Sequence, residues 1–148
     1  MATDGDETQV EVVGVFERRE DLPEGEERIP LLVFRDGIAR RELQIPIGSC
    51  EGFAIHVAIQ QHVVARPLTH DLALRILEKF SATLQRVVID DLRNGVYYAS
   101  IHLTADEGEI VLPARPGDAV AMALRAEAPV YVTEAVFGQA TQTGDDIF

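Results

Sequence analysis

The chain has 148 residues, 47% of them hydrophobic, and a formal net charge of −12 at pH 7. That is enough for one domain with its own core, without the overall basic balance usual in nucleic-acid binders. The lack of any run of about 18 apolar residues excludes a membrane-spanning helix, and Cys50, the lone cysteine, excludes an internal disulfide and a cysteine-built zinc site.

The acidity is uneven. Residues 1–27 carry ten acids and two arginines, whereas residues 28–137 carry thirteen acids against eleven bases. Residues 1–8 read as a disordered acidic tail, 9–137 as a single domain and 138–148 as a flexible C-terminal tail. The opening Met-Ala-Thr-Asp-Gly-Asp-Glu lacks the basic and apolar regions of a signal peptide, so a cytoplasmic location is expected.

In chain order, Val10, Val12, Val13, Val15 and Phe16 predict a first strand, and Glu17 to Arg28 a polar loop around Pro23 and Gly25. Ile29 to Arg35 predicts a second strand, and Asp36-Gly37 a hairpin turn into a third, Ile38 to Ile47. Ser49 is placed to cap a helix from about Cys50 to His62. Pro67 sets its own φ and disfavours helix at Arg66, so Arg66-Pro-Leu-Thr-His-Asp-Leu72 reads as a turn leading into a second helix. Thr69 is its expected N-cap, with Leu72, Ile76 and Phe80 at helical spacing.

Leu84 to Ile89 and Val96 to Leu103 read as strands joined through Asn94-Gly95, and Glu109 to Leu112 as a third. Ala114-Arg-Pro-Gly-Asp118 repeats the chemistry of the earlier helix start, opening a helix to Leu124 or Arg125, and Val130 to Thr133 closes the domain as a short strand. Such an order predicts an α+β fold, a mixed and mainly antiparallel sheet with about three helices packed on it.

Each of the three helices would carry a carboxylate near its start: Glu51, Asp71 and Asp118. Arg66 and Arg115 precede the second and third. If the starts converge, free backbone N–H groups and two guanidinium forks favour a phosphate, and the carboxylates could hold a hard divalent cation. That set suits phosphodiester hydrolysis. Each start also reads as an ordinary cap. The remaining histidines, His56, His62 and His102, show no i, i+4 zinc pair, and no phosphate-binding loop, Gly-x-Ser-x-Gly or Gly-x-Gly-x-x-Gly occurs.

Four blocks carry a resemblance. Leu43-Gln-Ile-Pro-Ile-Gly48 with Glu51 and Ala54-Ile55, then Arg66 to Leu72, then Val87 to Gly95 with Tyr97-Tyr-Ala99, then Ala114 to Ala119 through Arg125 and Pro129, together resemble the bifunctional nuclease domain family. The resemblance runs over about residues 10–137 and implies an α+β fold, self-association with a dimer foremost, and nuclease action on DNA and RNA helped by a divalent metal, magnesium first. At the matching positions the motifs lead us to expect His70 as general base or proton shuttle, with Asp71 and Asp118 also catalytic, Arg66, Arg115 and Thr69 at the phosphate, and Glu51, Asp71 and Asp118 at the metal. Pro113 departs from an acid common in the family, and Gly117 from a serine. The alternative is a non-catalytic oligomeric module that binds a small anion or a protein partner, with the same motifs as caps and interface.

Overall fold

A computed structural model describes residues 6–144, with side chains as far as Ala140. The elements run β1 (Glu7–Leu22), β2 (Gly25–Asp36), β3 (Arg41–Pro46), α1 (Ser49–Gln60), α2 (Thr69–Lys79), β4 (Thr83–Arg93), β5 (Val96–Ala105), β6 (Gly108–Ala114), α3 (Pro116–Ala126), β7 (Val130–Thr133) and α4 (Glu134–Gly144). Seven strands share a sheet in the order β3-β2-β1-β7-β4-β5-β6. Two antiparallel meanders, β1–β3 and β4–β6, are joined by the last strand, β7, which lies antiparallel to β1 and parallel to β4. The α+β expectation holds, with four helices among the described residues rather than about three.

The core follows from strand alternation. Leu32 and Phe34 of β2, Val87 and Ile89 of β4 and Val132 of β7 are fully buried, with Ile55 of α1 and Val120 of α3. Each such side chain contributes about 1.5–3 kcal/mol on burial, more than most surface ion pairs. Helix α3 packs on α1, α2, β4 and β5. Its buried face is built of small residues, Gly117, Ala119, Ala121 and Ala123, around Val120.

Three sequence expectations fail for identifiable reasons. The polar stretch Glu17 to Arg28 is not a loop: β1 and β2 stay paired from Glu17↔Pro30 to Leu22↔Gly25. Its polarity reflects a ribbon largely open to solvent, with cross-strand ion pairs Arg19–Glu26 at 3.3 Å and Arg28–Glu17 at 3.6 Å. Of the expected acidic tail, residues 1–5 lie outside the described residues, while Glu7 and Thr8 belong to β1, bonded to Arg86 and Glu134 respectively. The expected C-terminal tail begins inside α4, and residues 145–148 lie outside the described residues.

The overlooked signal for α4 is Thr133, whose hydroxyl oxygen accepts the Val136 N–H at 3.2 Å in the manner of an N-cap. Val136 and Phe137 then anchor the helix in the core. Arg41 of β3 ties this corner together, bonding both buried Asp36 and Glu134 and lying 3.9 Å from the centroid of the Phe137 ring. Among the described residues no helix is long and apolar enough to cross a membrane.

Candidate functional site

The first turns of α1, α2 and α3 meet. Helix α3 starts with Arg115 as N-cap in an extended conformation and Pro116 just inside, where proline's fixed φ suits the helix and its missing N–H removes no intrahelical bond. Asp118 therefore sits in the first turn. Its Oδ1 lies 2.8 Å from His70 Nε2 in the first turn of α2, and its Oδ2 accepts Arg115 Nε at 2.9 Å. A carboxylate only accepts, so the His70 proton in this bond is on Nε2. Arg115 also approaches Glu51 in the first turn of α1, at 3.8 Å. The bond to Asp118 raises the Arg115 pKa above its ordinary value, with the charges of Asp118 and Glu51 adding to it.

Close packing holds this junction. A Cβ on Gly117 would come within 2.7 Å of Glu51 Cβ and 3.1 Å of Glu51 Cγ. A serine there would push α3 away from α1, so glycine at this position follows from the contact between the two helix starts. Glu51 is itself buried, and a Cβ on Gly48 would meet its Oε2 at 2.4 Å.

Adjacent Asp71 is committed elsewhere. Its Oδ2 accepts the Leu68 N–H at 2.8 Å and its Oδ1 accepts Arg125 Nε at 2.8 Å. Leu68 is the N-cap residue. Asp71 thus reaches back to the N–H of the N-cap residue, while Thr69, the expected cap, lies one residue inside the helix and exposed. Ser49 is likewise inside α1, after Gly48 as N-cap. Burial pushes the Asp71 carboxyl upward, but the Leu68 N–H and the Arg125 charge outweigh it and leave the pKa lowered.

Sequence reasoning gave Arg125 no role. Only 9% exposed, it also donates to the carbonyls of Ala121 at 2.8 Å and Ala54 at 3.0 Å, fastening α2 and α1 to the last turn of α3. The available signal was a basic residue at the end of a helix of small side chains, where it complements the dipole.

The structure therefore gathers His70, Asp118, Arg115 and Glu51 in one network and leaves Asp71, Arg66 and Thr69 outside it. Asp118 and the Arg125 that holds Asp71 are seven residues apart on α3, roughly 10 Å along its axis. Glu51, Asp71 and Asp118 do not form one donor set, because Asp71 has both oxygens engaged away from the other two. Among the described residues no group of three His, Cys, Asp or Glu side chains is placed to hold a metal ion. Arg66 is exposed, without an ion pair among the described residues. His70 Nδ1 is buried with no hydrogen-bond partner, so the ring's second nitrogen does not face solvent. Pro113 pairs across from Ser100 in the β5–β6 ladder.

Comparison with known proteins places these residues in context. A family model described as "Bifunctional nuclease domain" matches residues 32–144, a span that includes His70, Asp71, Asp118 and Arg125. Two similar proteins are "Uncharacterized protein MT1877" of Mycobacterium tuberculosis strain CDC 1551 / Oshkosh and "Uncharacterized protein Rv1829" of strain ATCC 25618 / H37Rv. Each is 39% identical over 132 residues, covering 89% of this chain and 75% of the relative.

Proposed function

The chain belongs to the bifunctional nuclease domain family, and from that premise we propose that it hydrolyses phosphodiester bonds in DNA and RNA, acting in the cytoplasm, at the junction of α1, α2 and α3. The observation that carries this reading is the network on Asp118, with one oxygen bonded to His70 and the other to Arg115. A carboxylate offers about four acceptor sites, so two remain for a water molecule. The Arg115 side chain is 73% exposed beside it and would bind the phosphate and offset charge developing there.

In this reading Asp118 orients and deprotonates the attacking water. His70, its basic nitrogen turned inward, fixes the carboxylate rather than serving as the base. Arg66, exposed on the approach to α2, adds a second cation for the backbone. Asp71 holds the helix that carries His70. The exposed stripe Leu72, Ile76 and Phe80 along α2 supports self-association as a dimer, which light scattering on the purified chain tests.

One observation favours the second reading, a non-catalytic module that binds a small anion or protein partner: Asp71 and Asp118 each have both oxygens engaged by caps or ion pairs. Cleavage of labelled single- and double-stranded DNA and RNA, with magnesium, manganese or EDTA, separates the two. The comparison is wild type against identically purified Asp118→Asn and Asp71→Ala/Asp118→Ala variants. Cleavage lost in a still-folded Asp118→Asn supports the hydrolase. Equal cleavage by all three proteins, or none by any, sinks the Asp118 site and moves the assignment to the module.

A further inference from the structure

A broad, open cavity of about 660 Å³ lies where β4 and β6 end and β5 begins, beside the start of α3, and Arg115 belongs to its lining as well as to the Asp118 network. The polar groups on its wall are not equally occupied. Asp91 accepts the Leu92 N–H on one oxygen at 2.8 Å and Arg93 on the other at 2.9 Å. Asp90 accepts only the Ser100 hydroxyl, on Oδ2, which leaves Oδ1 without a partner among the described residues. The Arg93 guanidinium carbon sits 4.2 Å from the Tyr98 ring centroid, and Tyr98 remains 39% exposed.

An exposed guanidinium, an aromatic surface stiffened by a stacked arginine and a carboxylate with one free oxygen therefore share one concavity. Two arginines balance two aspartates in its lining, so an anionic ligand meets no net repulsion. We propose that this cavity is the base subsite of the same junction, and that it selects guanine nucleotides. The proposal rests on the nuclease reading for its substrate class. Arg115 takes the phosphate, and Tyr98 with Arg93 offers a flat surface on which a base stacks.

Asp90 reads the base edge. Its carboxylate only accepts, and guanine alone among the common bases presents two adjacent donors, N1–H and the N2 amino group, to a carboxylate. Adenine and cytosine set an amino donor beside an acceptor, and uracil sets an imino donor between two acceptors. A carboxylate facing those edges meets a lone pair as well as a donor, so a mismatched base forfeits one of the two charge-assisted bonds and adds lone-pair repulsion.

Calorimetric titration of the full chain with GMP, AMP, CMP, UMP and inorganic phosphate tests this without any cleavage. GMP is expected to bind at least about 10-fold more tightly than the other nucleotides and than phosphate, in line with one good bidentate base contact. Asp90→Asn, an isosteric change at an exposed residue, is expected to remove that advantage while phosphate binding stays the same. Tyr98→Ala is expected to weaken all four nucleotides about 10-fold.

Phosphate binding as tightly as GMP, or a GMP advantage that survives Asp90→Asn, would overturn the subsite. The outcome is separable from the nuclease reading. Selective GMP binding by a chain that cleaves nothing would refute the hydrolase and uphold the cavity as a guanine site. Cleavage dependent on Asp118 without base preference would do the reverse.

Discussion

Helices α2 and α3 begin with nearly the same chemistry and use it in opposite ways. Each has an arginine followed by a proline, and an aspartate in its first turn. In α3 the proline is the first helical residue, so Arg115 is the N-cap and its side chain turns onto Asp118 three positions on. In α2 the proline stands two residues before the helix, so Leu68 takes the N-cap position and Asp71 folds back onto its N–H. Arg66 is left without a partner among the described residues. A shift of two residues in the proline converts a surface arginine–aspartate pair into a cap locked to a buried arginine. In the function proposed above, one aspartate meets the ligand and the other holds the scaffold.

The largest expected effect comes from breaking the scaffold side. Asp71→Ala removes a capping acceptor and leaves the 9% exposed Arg125 without its carboxylate, a combination expected to cost about 3 kcal/mol. In a chain of this size the melting temperature should fall by roughly 10 °C. Replacing the pair together, as Asp71→Ala/Arg125→Met, should restore part of the loss by removing the buried charge. Urea and thermal denaturation of the single and double variants measure both. A loss below about 1 kcal/mol in the single variant would mean that Asp71 is not the anchor.

The ligand side should respond in the opposite sense. Asp118→Asn breaks a pair whose arginine is 73% exposed, so the expected stability change is within about 1 kcal/mol. Loss of the proton acceptor should lower cleavage by about 100-fold or more. A cleavage assay beside a melting curve gives the contrast directly. Large destabilisation by Asp118→Asn with cleavage intact would reverse the assignment of the two aspartates.

How much of this was legible follows the same division. The three helix starts, their carboxylates and the short β7 are visible because caps, prolines and alternation act within a few residues. The β1–β2 ribbon was not, since its strands are held by pairing with each other and its side chains largely face water, which leaves no apolar alternation to read. Helix α4 escaped because its signal is one threonine hydroxyl and two buried residues, Val136 and Phe137, just past a strand. The meeting of Asp118 with His70, 48 residues earlier, was conjecture at the level of sequence. The diversion of Asp71 to Arg125, 54 residues later, left no local trace.

A smaller effect is expected from acid at the Arg41 corner. The bonds from Arg41 and then Thr8 depress the Glu134 carboxyl from 4.5 to about 2. A depressed carboxylate contributes stability that is complete above its unfolded pKa and is lost as pH falls through the folded value. Unfolding free energy should therefore decline between about pH 4.5 and pH 2, with Asp71, also lowered, sharing in the fall. Glu134→Gln should flatten that limb while leaving the rest of the pH profile alone. Denaturation midpoints between pH 2 and pH 7 would measure this, and an unchanged slope in the variant would remove Glu134 from the account.

The smallest change should come from Arg66, and it sharpens the comparison of the two helix starts. An exposed arginine without a partner contributes little to folding, so Arg66→Ala should alter stability by no more than about 0.5 kcal/mol. In the proposed function its effect belongs to binding. If it contacts the backbone phosphate in the bound state, its removal releases about one fewer counterion. The slope of log affinity against log salt for single-stranded nucleic acid should then become shallower by about 0.7, with no change in base preference. Arg115→Ala should lower that slope as well, but it also frees Asp118 and should reduce cleavage. Fluorescence anisotropy at several salt concentrations distinguishes the two arginines. Identical slopes for wild type and Arg66→Ala would confine the phosphate contact to α3, leaving the α2 start as scaffold alone.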